Sequence, residues 1–216
     1  MAARSASPSG APMRLAAHLC GPALNQVLRG DISFVQELAA KGFGRVQLNA
    51  TAINGADVGD PASTSAIVRE ALPLVPEVEW ILQRNDETLP LWSPLFDDPP
   101  RGATIATLFD ASAGLGIAPE GLAFPAIDHR LRCGFAGGIG VENLSAVLDN
   151  LRESAAGETV WVDMETSLRR ATAGEQEGGG GGEDVFAMER AEQCVDITTE
   201  MGFPSDGGEG NSSSRL

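Results

Sequence analysis

The chain is short of positive charge. Fifteen Lys and Arg stand against thirty Asp and Glu, for a formal charge of −15, and a protein this acidic is repelled by nucleic-acid backbones and anionic membrane surfaces. Nucleic acid is therefore not an expected partner. Long apolar runs are also missing. None approaches the ~20 residues that span a bilayer, so no membrane is expected either. Cysteine is scarce: Cys20, Cys133 and Cys194 are odd in number and far apart. That argues against a disulfide scaffold and for a reducing compartment, cytoplasm or plastid stroma, over secretion. The two histidines, His18 and His129, join no cysteine cluster with zinc spacing, and no metal is expected.

What remains is enough for one sizeable domain. The 216 residues can bury a real core. Residues 1–12 are small, polar and acid-free, and are expected to be disordered; a short transit peptide has the same composition. The domain is expected over residues 13–203. Within it, Glu175–Glu183 with its run of glycines is low in complexity and reads as a flexible insertion at 174–183. Residues 204–216 read as a disordered tail.

Between these tracts, β-favouring runs alternate with helical patterns. Strands are expected to end near Cys20, Asn49, Gln83, Asp110, Gly137 and Asp163. Ser33 and Gln36 read as a capping box for a helix carrying Phe34, Val35 and Leu38, and another helix is expected over about Ser63–Leu72. The proline-rich stretch Pro90–Pro100 reads as irregular with a single helical turn. Asp184 is expected to cap a last helix, with Val185, Met188, Ala191 and Val195 on one face. Strand–helix alternation of this kind points to a parallel sheet, in a (β/α) barrel or an open doubly wound form.

The polar residues fall into a pattern on that sheet. Asn49, Gln83, Asp110, Gly137, Gly138, Asp163 and Glu165 all stand at the C-terminal ends of successive strands, where a barrel gathers its active site. The stretch Cys133–Gly140 is the sharpest feature. An apolar run ends in glycines, and Leu144, Val147, Leu148 and Leu151 then mark an amphipathic helix by their i, i+3, i+4, i+7 spacing. Glycines let a backbone approach a ligand closely, and free amides at a helix start attract anions. Phosphate is the expected guest, although a plain chain reversal accounts for the same glycines.

Five segments in order resemble phosphoribosylanthranilate isomerase. They are Val46-Gln47-Leu48-Asn49, Leu108-Phe109-Asp110 with its glycine loop, Ala136-Gly137-Gly138-Ile139 with Glu142-Asn143-Leu144, Val162-Asp163-Met164-Glu165 and, as a looser match, the last helix after an intervening loop. The family's counterparts are a V-Q-L-H, an L-D with a glycine loop, an A-G-G-L with P-E-N-V, and a V-D-V-S-S-G-V-E. A divergent group of that family carries His-Leu-Cys-Gly, Arg-Val-Gln-Leu-Asn and Asp-Met-Glu strings close to those here. The resemblance spans roughly residues 43–200. It implies a (β/α)8 TIM barrel that binds a sugar phosphate at its last two strands and performs an Amadori aldose–ketose isomerisation without a cofactor. By position, Gly137 and Gly138 would bind phosphate. Thr166 and Ser167 would replace the family's S-G pair, and Asp110 would be the general acid.

The family's base is a cysteine in a K-x-C-G string on its first strand. His18-Leu19-Cys20-Gly21 is similar, but too few residues separate Cys20 from Gln47 for that placement. The better alignment makes Arg14–Cys20 the third strand, with Cys20 a small buried hydrophobe and His18 a packing residue. Six strands then remain where eight would close a barrel, and truncation is the favoured explanation. A homo-oligomer pairing the two open edges is the alternative. Two other functional readings stand beside the isomerase: a non-catalytic phosphate-binding barrel or pseudoenzyme, and an acidic interaction segment carried on a structural barrel.

Overall fold

The computed structural model describes residues 14–110, 112, 124, 125, 127, 129–155, 157–171 and 184–203. Six strands form one parallel sheet in sequential order: β1 (Leu15–Leu19), β2 (Phe43–Leu48), β3 (Glu79–Arg84), β4 (Thr104–Asp110), β5 (Arg132–Ala136) and β6 (Val160–Val162). All six stand where the alternating runs place them, and β4 has the expected bounds. β1 and β6 are the edges, as the strand count anticipates.

The sheet is curled into a half-barrel. β2 and β6 are four places apart in strand order and would lie about 19 Å apart if the sheet were flat. Yet the Arg45 guanidinium stacks 4.5 Å from the centre of the Trp161 ring. Strand alternation separates the two faces. Val46, Leu48, Trp80, Leu82 and Ile105 pack outward with the helices in the main core. Ile81, Ala106, Leu108 and Ala136 form a small apolar patch of their own, with Trp161 against it, on the concave side. Below them Glu79 accepts Arg45 Nε at 2.6 Å and Arg132 Nη1 at 2.8 Å. The apolar patch thus forms a floor, and the lining above it is mostly polar, with Ile139 and Met164 among it.

Helices α1 (Gly21–Leu28) and α2 (Ser33–Ala40) follow β1, α3 (Pro61–Ala71) follows β2, α4 (Leu89–Asp97) follows β3 and α5 (Leu144–Ala155) follows β5. In α5 the four predicted apolar positions are all buried, each contributing roughly 1.5–3 kcal/mol by leaving water. Their burial against Phe135 fixes the helix directly behind the glycine turn.

Several expectations are corrected. Asp31 Oδ1 accepts the Ser33 amide at 3.0 Å, so Ser33 is the first residue of α2 and not its cap. The stretch after Pro90 is a nine-residue helix despite Pro94 inside it. Leu91, Trp92, Leu95 and Phe96 are buried there, and that burial outweighs one lost backbone bond. Asp184 does not cap a helix. It opens β8 (Asp184–Phe186), which pairs antiparallel with β7 (Arg169–Ala171). The last helix, α6 (Met188–Glu200), turns a different face inward: Cys194 is buried and Ile197 packs beside it, while Met188 and Val195 are exposed. The glycine tract at 174–183 and the tail from 204 lie outside the described residues. Among the described residues no helix is long and apolar enough to cross a membrane.

Candidate functional site

The C-terminal ends of the strands surround a cleft that is open to solvent. All nine residues singled out from the sequence line it: Asn49, Gln83, Asp110, Gly137, Gly138, Asp163, Glu165, Thr166 and Ser167. Each follows from register. Gln83 stands beside Leu108 and Asp110 beside Ala136 in adjacent strands, so one rim collects every strand exit.

One wall is a ladder of amides and carboxylates. Gln47 Nε2 donates to Asn49 Oδ1 at 2.7 Å. Gln83 Nε2 donates to Asp110 Oδ2 at 2.8 Å. The other Asp110 oxygen accepts the Ser112 amide at 3.0 Å and the Ser112 hydroxyl at 2.6 Å. Asp110 is buried and held in one orientation by these three hydrogen bonds from Gln83 and Ser112. Two strands along, at the exit of β6, burial raises the Asp163 pKa above the ordinary 3.8. His18 opposes that shift, as does a hydrogen bond from Gln47, whereas the charges of Glu165 and Asp110 add to it. His18 Nε2 lies 4.0 Å from Asp163 Oδ2, one side chain from each open edge of the sheet.

At the exit of β5, between the Asp110 and Asp163 strand exits, the wall is backbone. Gly137 and Gly138 have φ of 106° and 60°, values that L side chains rarely adopt. Asn143, the residue before α5, clamps this turn by accepting the Gly140 amide and donating to the Gly138 carbonyl, both at 2.9 Å. The short 3-10 turn Thr166–Leu168 is tied to it. The Ser167 hydroxyl donates to the Ile139 carbonyl. Arg190 of α6 donates to the Ser167 carbonyl and makes a bidentate pair with Glu142 at 2.6 and 2.8 Å. A Cβ on Gly140 would come within 2.6 Å of Ser167 Cβ, so this glycine is required for the two loops to meet. Asn143→Ala removes two side-chain hydrogen bonds from the turn and is expected to lower stability by about 1 kcal/mol, read as a lower urea midpoint with an unchanged slope.

His18, Gln47 and Asn54 also line the cleft and are not among the residues expected there. Gln47 precedes Asn49 by two, and His18 precedes Cys20 by two, so strand alternation carried one step back places both on the concave face. His18 is thus a cleft residue and not a packing one. Cys20 is exposed, not a buried hydrophobe; its sulfur accepts Asn49 Nδ2 at 3.5 Å, and it lies outside the cleft lining. Among the described residues no group of three or more His, Cys, Asp or Glu side chains is arranged to hold a metal ion. No family model matches the chain, and no curated protein matches it either.

Proposed function

We propose that this chain is a partial (β/α)8 barrel that binds a phosphorylated sugar derivative in the cleft and interconverts its aldose and ketose forms. The observation that carries the reading is a clamped, left-handed glycine turn flanked in the cleft by two carboxylates, the buried Asp110 and the half-buried Asp163. The turn and the start of α5 suit a phosphate. Two carboxylates suit an isomerisation that needs one group to protonate the ring oxygen and one to take the proton from C2. Asp163, whose burial favours its protonated form, fits the acid. Asp110, locked by Gln83 and the Ser112 turn, is then the group that receives the C2 proton. Thr166, in the 3-10 turn after β6, lines the cleft and is available to the phosphate, while the Ser167 hydroxyl is committed to Ile139. The chemistry requires neither a metal nor a redox cofactor.

The test is exchange of the C2 proton of an aldose phosphate for solvent deuterium. Wild type exchanges it, and Asp110→Asn lowers the rate about a hundredfold. The exposed position of Cys20, outside the cleft lining, favours a second reading, a barrel that binds the ligand without turnover. That reading predicts a ligand-dependent rise in melting temperature with no exchange in any variant. Absence of both signals sinks both.

A further inference from the structure

The glycine turn stands between two acids. Asp110 is the register partner of Ala136, the residue before Gly137, and the Asp163 amide donates to the Phe135 carbonyl at 2.8 Å. Glu165 also lines the cleft. Among the described lining residues the one basic side chain is His18; there is no lysine or arginine. Arg190 beside the turn is paired with Glu142, and Arg45 and Arg132 below the apolar floor are paired with Glu79. A doubly charged phosphate on the turn would therefore meet carboxylates on both sides with little positive charge to offset them. Like charges in a partly dehydrated space repel strongly.

A proton removes that conflict, and one of the acids is placed to take it. Asp163 is faced by His18 of β1 at 4.0 Å, by the Gln47 amide of β2, by Asp110 of β4 and by Glu165 on its own segment. Burial, Glu165 and Asp110 raise its proton affinity, against His18 and Gln47. A dianion arriving on the neighbouring turn acts in the same direction as Glu165 and Asp110. Asp110 has both oxygens occupied by donors from Gln83 and Ser112, and it is the group that receives the C2 proton. The added proton therefore goes to Asp163, with His18 as its one competitor among the facing groups.

We infer that a sugar phosphate enters this cleft together with a proton, taken from solvent onto the Asp163 carboxylate, so that the bound phosphate itself loads the general acid. The inference rests on the phosphate placement proposed above. The proton taken up is the one that the isomerisation passes to the ring oxygen, which leaves Asp163 ionised again. The acids beside the turn weaken binding at high pH, but they make the loading of the acid depend on an occupied phosphate site. A neutral sugar brings no such charge and draws in no proton.

Calorimetric titration of the full chain in buffers of different ionisation enthalpy counts the protons taken up. Above neutral pH, ribose phosphate is expected to bring about one proton with it and to bind about tenfold more weakly for each unit of rise in pH. Phosphate esters themselves titrate at about pH 6, so sulfate, which stays doubly charged, is the control: its proton must come to the protein. Asp163→Asn, checked by thermal melt, is expected to lose most of the uptake and to bind ribose phosphate about tenfold more tightly than wild type. Should that variant fail to fold, His18→Gln, expected to keep the uptake, separates the two groups instead. Uptake undiminished in Asp163→Asn, or lost in His18→Gln, overturns the inference. Binding with no proton taken up also overturns it and leaves the phosphate site standing. Failure of both ribose phosphate and sulfate to bind anywhere from about pH 5 to about pH 8 removes the phosphate site and the inference with it.

Discussion

Gly134→Ala is expected to destabilise the fold by about 3 kcal/mol, at the upper end of what overpacking a core usually costs. A Cβ at this position would lie 2.1 Å from Trp161 Cε2, 2.4 Å from Nε1 and 2.5 Å from Cζ2. One methyl group displaces a whole indole ring, and retreat of the ring is opposed on the concave side. Arg45 stacks on it at 4.5 Å, and that guanidinium is fixed by its 2.6 Å contact with Glu79. Retreat of the ring therefore breaks an ion pair on the concave side. The strain also travels upward, since Asp163 follows Trp161 by two residues along the same strand exit. Gly44→Ala is the control: its Cβ meets nothing within 4 Å and its φ is not positive. Urea denaturation should separate the two variants by most of the predicted difference. Equal midpoints would mean that the floor of the half-barrel is not packed as described.

That glycine shows what could be read from residues alone and what could not. The apolar run into Gly137 marks β5 clearly, because its Cys133 and Phe135 have one neighbour set, the α5 helix, whose spacing is visible downstream. Gly134 looks like a weak point in the strand. Its reason lies in Trp161, almost thirty positions on and reached only by curling the sheet. The same divide runs through the cleft. Asn49, Gln83 and Asp110 are legible because strand exits in a parallel sheet share one rim. The side chains that lock them are not. Arg190 joins two loops by way of a helix whose inward face cannot be told from its apolar pattern, since Met188 and Val195 remain exposed. Helix α1 hides behind Gly21-Pro22, which reads as a break although proline in the first turn of a helix is well tolerated. The β7–β8 pair has three residues per strand, too few to show a period.

Asp163→Asn is expected to make the protein more stable at neutral pH while lowering C2 proton exchange about a thousandfold. The two signs have one cause. The folded protein holds this carboxyl with a proton affinity above its ordinary 3.8, through burial first, with Glu165 and Asp110 adding to it and His18 and Gln47 opposing. Ionisation is therefore harder in the folded chain than in the unfolded one, and the charged form costs stability at neutral pH. The cost shrinks as pH falls through the folded value and vanishes below about 3.8, where both states are protonated. Asparagine keeps the shape and still accepts from Gln47 but carries no charge. Its melting temperature should exceed that of wild type at neutral pH, and the two curves should converge on acidification. Asp31 and Asp60, whose pKa values are lowered by their bonds to Ser33 and Ser63, titrate with the opposite sign but equally in both proteins, so the difference isolates Asp163. A group that merely held the cleft together would lose stability and activity together. A lower melting temperature at neutral pH, or exchange that survives the substitution, would remove Asp163 from the proton-transfer pair. A stabilised and inactive variant is the result that only a carboxyl kept under strain for chemistry would produce.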